Sequence, residues 1–385
     1  MFDISNSIKE VIMADIKTHL RELSVAITIG LLNAGIDCKP SDLYSSRNQF
    51  LSYARKVISN DISSAENLAA YETFSGELKT IIENGYKLGK KIYNTPYFNF
   101  TENNKILWLG NDTQKGDPID IAVGDYGFSL KEESFILQNM GLYQLLNNLT
   151  CSSYSRGLHV FNMFAPNEYN LWFTYTWKSF CEYLQKNQQW RLTTKNNHAT
   201  AFISNQNVIM DYNKTISVIP MSITTNKEFI NHTSAKTREK IFAKWIKNHF
   251  ANNPQYISLK KACSEVAGQK VCQKITTEFK PDNTYRFFQI YLKEYYYAKT
   301  TANETTILKV PSRKDFNSII EFKGCRYEVP GSQLNIITTF QNIETGRTLE
   351  FRNECRFSHG QFNGTPEAKL YITQDTPLTE LYIPL

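Results

Sequence analysis

The sequence predicts a mixed α/β protein: a helical N-terminal region over 1–95, a strand-containing core with a β-rich extension over 96–250, and an α+β C-terminal region over 251–385 that is mainly β. Three observations predict it. Before residue 95, apolar side chains recur at helical spacing, as in Ile8, Val11, Ile12 and Ile16 and again in Leu78, Ile81, Ile82 and Tyr86. From Pro96 the texture changes to short apolar runs closed by Gly, Asp and Asn. Beyond residue 305, Pro and Gly punctuate β-type runs.

Composition narrows the function classes. Hydrophobic residues make up 41% and charged residues 21% of the 385, enough apolar material for cores and too little charge for a disordered chain. The formal charge of +6 is compatible with a nucleic-acid partner, although an ordinary basic enzyme shows the same balance. The opening MFDISNSIKEV has no apolar centre and is not a signal peptide. The apolar run Leu23 to Ile36 is too short to span a bilayer and reads as a buried helix, so no membrane partner is expected. Seven scattered cysteines without a CxxC pair argue against a disulfide framework and a structural zinc, and point to a reducing cytoplasm. No HExxH, Walker loop or GxSxG elbow occurs, and ATP dependence is not implied.

Along the chain, Pro40, Ser41 and Asp42 break the first helices. Lys105–Leu109, Pro118–Val123 and Phe128–Lys131 read as strands, the last two joined by Gly124, Asp125, Tyr126 and Gly127. A helix is expected from Glu132 to Asn148, with Phe135, Ile136, Met140, Tyr143 and Leu146 on its apolar face, then a strand from Gly157 to Phe164. The order is helix, three strands, helix, strand. Residues 165–225 look strand-rich, with Ala199–Ser204, Val208–Tyr212 and Thr215–Met221 as candidates. Thr233–Phe250 reads as a basic helix carrying Lys236, Arg238, Lys240, Lys244 and Lys247, which either tracks a phosphate backbone or presents a solvated face with Phe242, Trp245 and Ile246 as its core side. Residues 255–300 are expected to be helical, and Tyr291, Tyr295, Tyr296 and Tyr297 to serve packing.

The chemistry is concentrated in GDPIDIAVGDYGFSLKEES, Gly116 to Ser134. With Gly124–Gly127 as the loop, Val123 falls opposite Phe128, Ile121 opposite Leu130, and Asp120 opposite Lys131. Alternation then puts Ile119, Ile121, Val123, Phe128 and Leu130 on a core face and Asp120, Ala122, Ser129 and Lys131 on the other. Directly opposed residues have Cβ atoms about 5 Å apart. A carboxylate and an ammonium so placed suit phosphodiester chemistry. The carboxylate binds a hard cation such as Mg²⁺, and the lysine stabilises developing charge or orients water. Ala122 and Ser129 are small and leave room for a phosphate. Further carboxylates for the metal are Glu133, with Glu132 in reserve, Asp117 on the approach to the strand, and Glu83 or Glu77 on the preceding helix. The bland alternative is a cross-strand ion pair on a solvated face.

These residues resemble the PD-(D/E)xK nuclease superfamily, and within it the type II restriction endonucleases. Asp120 matches the first acid and Lys131 the lysine; Ser129 stands at the acid position of the acid-x-Lys element, and Pro118 precedes Ile119 instead of the Asp. Gln144 lies near where a compensating Glu is found in some members. The resemblance spans roughly residues 77–165. It implies a restriction-endonuclease-like core, Mg²⁺-dependent cleavage of double-stranded DNA by a homodimer, and a cognate DNA methyltransferase.

Such a nuclease needs a sequence-reading element away from the cleavage hairpin. FRNECRFSHGQFNGTPEAKLY, residues 351–371, is dense in groups that pair with base edges: Arg352, Arg356, His359, Gln361, Asn363 and Lys369. An ordinary polar hairpin is the alternative for that stretch. For the whole chain, the rivals are a DNA-binding protein without catalysis and a carbohydrate enzyme, although no spacing specifies paired glycosidase acids.

Overall fold

The computed structural model describes residues 5–63, 65, 68, 71–110, 118–131, 136–155, 159–194, 197–290, 293–301, 304–316, 319–364, 366–372 and 378–385. The chain is mixed α/β, as expected, and divides into two units, each assembled from separated segments. Unit 1 comprises Met1–Ser134, Gln289–Phe316 and Leu378–Leu385, and unit 2 comprises Phe135–Phe288 and Asn317–Pro377. The three consecutive regions read from the sequence do not coincide with these units, because the chain leaves the first sheet after residue 131 and returns to it at residue 295.

Unit 1 begins with α1 (Ser5–Asn33), α2 (Pro40–Tyr44), α3 (Arg47–Val57) and α4 (Glu77–Tyr93). Leu20, Leu23, Val25, Ala26, Ile27, Ile29 and Leu31 are all fully buried, and α1 is enclosed on every side from Glu22 to Leu31, as its mainly apolar run demands. Gly85 and Gly89 of α4 lie against Ser24 and Thr28 of α1: a Cβ on either glycine would sit 2.7 or 2.8 Å from its neighbour's Cβ. The two helices therefore approach closely, while Ser24 and Thr28 return their hydroxyls to the carbonyls of Leu20 and Ser24.

The sheet of unit 1 contains β1 (Ile106–Trp108), β2 (Ile121–Val123) and β3 (Tyr126–Lys131), continued by Tyr295–Thr300, Thr305–Val310 and Ile383–Pro384. Tyr295–Thr300 runs parallel to β3, while the other pairings are antiparallel. Ile121, Val123, Phe128 and Leu130 join the helices in one core with Tyr296 and Ala298. Tyr295, Tyr296 and Tyr297 are buried, which bears out their reading as packing residues but as a strand instead of a helix; Tyr291 lies outside the described residues.

The hairpin register is two residues tighter than the sequence suggested. Val123 pairs with Tyr126, Ala122 with Gly127 and Ile121 with Phe128, so Gly124 and Asp125 alone form the turn. Gly124 adopts φ +57°, the left-handed conformation such turns require at glycine, and a Cβ there would lie 2.4 Å from Asn104 Nδ2. A shift of two keeps every side chain on its predicted face, but it moves Asp120 from opposite Lys131 to beside Ser129.

The expected helix–strand pair after the hairpin is also corrected. Ile136–Gly141 is a strand, Leu142–Leu149 a short helix and Val160–Phe164 another helix. Ile136 and Met140 fit helical spacing equally well. Their strand state is set by pairing with Glu367–Ile372, far along the chain. In unit 2 a five-stranded sheet runs in the order Ile320–Glu328, Asn335–Asn342, Thr348–Arg356, Glu367–Ile372, Ile136–Gly141. A four-stranded meander spans Gln189–Pro220, as anticipated from 199 onward, but residues 166–187 form a long helix with Trp172, Phe173, Trp177 and Phe180 inside. The basic helix is present from Ala235 to Phe250, with π-type turns at Arg238–Phe242 and Ile246–Phe250, and Phe242, Trp245 and Ile246 are its buried side. Among the described residues, no helix is long and apolar enough to cross a membrane.

Candidate active site

Glu22 immediately precedes the apolar run of α1, and its side chain is enclosed with that run, 1% exposed. A buried carboxylate requires donors. Trp108 Nε1 donates to Glu22 Oε2 at 2.7 Å, and Arg21 Nη2 lies 3.9 Å from Oε1. Trp108 is itself fixed by Asn60, whose side chain imitates a neighbouring strand. Asn60 Nδ2 donates to the Trp108 carbonyl at 2.7 Å, and Trp108 N donates to Asn60 Oδ1 at 2.8 Å. Gly110, two residues on, leaves the space the carboxylate occupies; a Cβ there would lie 2.0 Å from Glu22 Oε2.

Asp120 stands where the β2–β3 ladder ends. Its carbonyl accepts from Leu109 N and Gly110 N, at 2.8 and 3.1 Å, and its own amide donates to Phe128 O at 2.8 Å. Its carboxylate Oδ2 accepts from Leu130 N at 2.6 Å, replacing the carbonyl that an ordinary ladder would present. The backbone therefore fixes the Asp120 carboxylate next to the strand that carries Ser129 and Lys131.

Glu22 responds to this neighbourhood. Its pKa is pushed up to about 8, first by burial and then by the Asp120 charge; the Trp108 hydrogen bond, Arg21 and Lys131 oppose the rise. Two carboxylates and one lysine thus share an electrostatic site in which, near neutral pH, Glu22 retains a proton. Ser129 is 1% exposed, and its Oγ is a buried hydroxyl with no hydrogen-bond partner among the described residues. The parallel pairing sets Ser129 beside Tyr297 and Lys131 beside Lys299, so a second lysine flanks the first.

The sequence-predicted residues fall into three groups. Asp120, Ser129 and Lys131 are brought together. Glu133, its reserve Glu132 and Asp117 lie outside the described residues. Glu83 pairs with Lys79 one turn back on α4, at 3.7 Å, and Glu77 pairs with Lys17 of α1. The helical acid that approaches Asp120 comes from α1, not from the helix next to the strands. The available signal was an acidic residue at the edge of an apolar helical run, LRELSVAITIGLL. Lys299 had no local signal, since only the parallel pairing places it.

The residues at the site offer oxygen donors, the type a hard cation takes. Mg²⁺ is usually held by one or two carboxylates, with water and phosphate oxygens completing its shell. Glu22 and Asp120 supply two carboxyl groups and Ser129 Oγ an oxygen without a hydrogen-bond partner among the described residues. Among the described residues no cluster of three or more His, Cys, Asp or Glu occurs, so the set is limited to this pair.

The candidate base-reading residues separate as well. Arg352 and Arg356 point outward from Thr348–Arg356, where Arg352 lies over the Tyr371 ring at 4.6 Å and Arg356 pairs with Glu354 at 2.9 Å. Lys369 lies opposite Glu354 and 3.9 Å from Glu367. Asn363 accepts from Arg238 Nε at 2.9 Å, a clamp between the loop and the basic helix. His359 and Gln361 line a cleft against that helix. No family model, curated protein or solved structure matches this chain.

Proposed function

We propose that this chain is a Mg²⁺-dependent, site-specific endonuclease of double-stranded DNA, a type II restriction enzyme with a restriction-endonuclease-like core in unit 1. The observation that carries the reading is the meeting of Glu22 and Asp120 beside Lys131 and an unpartnered Ser129 Oγ. Glu22 and Asp120 would hold Mg²⁺, which when bound neutralises phosphate charge and makes its water more acidic. In the reaction, water adds to phosphorus and one P–O ester bond breaks, leaving a phosphomonoester and a hydroxyl. Lys131 donates to a non-bridging phosphate oxygen or holds the attacking water in line. Asp120, pinned through its carbonyl and Oδ2, does not have to reorganise as charge develops. Two strands of a symmetric site call for a homodimer.

The test is cleavage of unmethylated plasmid and phage DNA in Mg²⁺ by wild type, Asp120→Ala, Lys131→Ala and Glu22→Ala. Discrete fragments from wild type alone support the reading, and intact DNA in every lane from folded protein ends it. Serine at position 129, where the resembled family carries an acid, favours a second reading: a DNA-binding protein without catalysis. It predicts salt-sensitive binding, unchanged by Lys131→Ala, with no cleavage.

A further inference from the structure

The basic helix and the polar loop after Arg356 are remote in sequence but meet in unit 2. Lys240, Lys244 and Lys247 line a cleft of about 370 Å³ whose opposite wall is Ser358, His359 and Gln361. A second cavity of about 650 Å³ adjoins it, sharing Glu239 and Phe357–Gly360, and is lined further on by Asn139, Gln144 and Asn363. The wall is built, not casual. Gly360 adopts φ +89° and packs so tightly that a Cβ would lie 2.1 Å from Ala243 Cβ. Arg238, 7% exposed, donates to Asn363 Oδ1, Thr233 O and Thr233 Oγ1, while Asn363 Nδ2 donates to His359 O at 3.0 Å.

Charge in the cleft is one-sided. Glu239 is the one carboxylate lining it, and Lys240 at 2.7 Å and Lys236 at 3.9 Å already engage it. Lys244 and Lys247 have no ion-pair partner among the described residues. Lys244 is half-buried, and its pKa is lowered by that burial and then by Lys247 and Lys240. Holding like charges together partly out of water is unfavourable unless an anion sits among them. Three ammonium groups along one helix face suit a ligand with repeated negative charge better than a single small anion. The trough continues into a cavity lined by the amides of Asn139, Gln144 and Asn363, with Lys236 and Glu367 also on its wall, so hydrogen-bonding groups of both kinds face the part of such a ligand beyond its phosphates.

We infer that this cleft seats the phosphodiester backbone of duplex DNA, with Lys240, Lys244 and Lys247 on phosphates and the adjoining cavity beside the next nucleotide. Only the choice of DNA as ligand rests on the nuclease reading. The test uses the full chain carrying Lys131→Ala, so that bound DNA stays intact, and measures duplex binding by anisotropy without divalent metal between 50 and 200 mM salt. Each phosphate contact contributes about 0.9 to the slope of log affinity against log salt. Adding Lys244→Gln and Lys247→Gln is expected to make the slope shallower by about 2 and binding about tenfold weaker at the lowest salt. The exposed single change Lys247→Glu, checked for folding by its melting curve, gives the same direction if the double variant does not fold. Unchanged affinity and slope overturn the inference. So does a parent that binds no duplex, or displacement of the duplex by equimolar inorganic phosphate, which would show a small-anion site. Cleavage by the Lys131 wild type, assayed in parallel with Mg²⁺, separates the two ideas: cleavage with unchanged binding in the variants sinks the cleft alone, and lysine-dependent binding without cleavage sinks the nuclease alone.

Discussion

The two units handle charge in opposite ways. In unit 1, Glu22 and Asp120 are carboxylates locked by an indole N–H and by backbone amides, in a site whose burial holds one of them protonated. In unit 2, Lys240, Lys244 and Lys247 line an open cleft, and the rigidity lies in the loop opposite them, fastened by Arg238 and Asn363. A buried carboxyl held protonated beside a half-buried carboxylate gains its charge when a compact dication arrives. A row of like charges at a surface is poised to take up a long polyanion.

The largest break in this comparison is expected at the hairpin. Lys131→Ala or Asp120→Ala should lower DNA cleavage at least about 1,000-fold, the scale of losing a preorganised group at a phosphoryl centre. Quantitative cleavage at saturating DNA checks it, and activity within tenfold of wild type would leave both residues a structural role only. Glu22 sharpens the comparison through stability. Its folded pKa lies above the unfolded value of 4.5, so its contribution is fully present below pH 4.5 and is lost as pH rises toward 8. Glu22→Gln removes that dependence. It should stabilise the protein by about 3 kcal/mol at pH 7 and by little at pH 4.5, at about 1.4 kcal/mol per pKa unit. Melting curves across that range should therefore fall with pH for wild type and stay flatter for the variant.

Adding Mg²⁺ at pH 7.5 should raise the melting transition of unit 1, by about 2.7 kcal/mol at 100 times the dissociation constant. Asp120→Asn should abolish the shift, and an equal shift in that variant would place the metal elsewhere. The smallest expected effect is in unit 2. Asn363→Ala leaves buried Arg238 without its Nε acceptor and should cost about 2 kcal/mol. Chemical denaturation monitored by tryptophan fluorescence checks it, since Trp172 and Trp245 lie in unit 2.

Local signals in the sequence disclosed the parts that depend on near neighbours. The hairpin, its two faces, the buried α1, the meander and the apolar side of the basic helix were all readable from period and turn chemistry. The turn was not, because Gly-Asp-Tyr-Gly permits either a four-residue or a two-residue loop, and both keep the same residues on each face. Ile136–Gly141 fits helical spacing locally and is a strand only through its partner at 367–372, and Glu22 lies on α1, not on the helix nearest in sequence to the hairpin. Lys299 and the meeting of Lys244 with His359 depend wholly on tertiary pairing, which no window of sequence contains.

The parallel pairing of β3 with Tyr295–Thr300 has a consequence for how the chain reaches its native state. Residues 135–288 are threaded between two adjacent strands of one sheet, so a chain emerging from the ribosome cannot close the first sheet until that intervening length has been made. Contacts of such long sequence separation form slowly. The Lys299 flank of the acid site is therefore completed late in folding, after the contacts among Glu22, Trp108, Asp120 and Leu130 can already have formed, and a nascent chain halted before residue 295 should be more readily digested by protease within β3 than the finished protein.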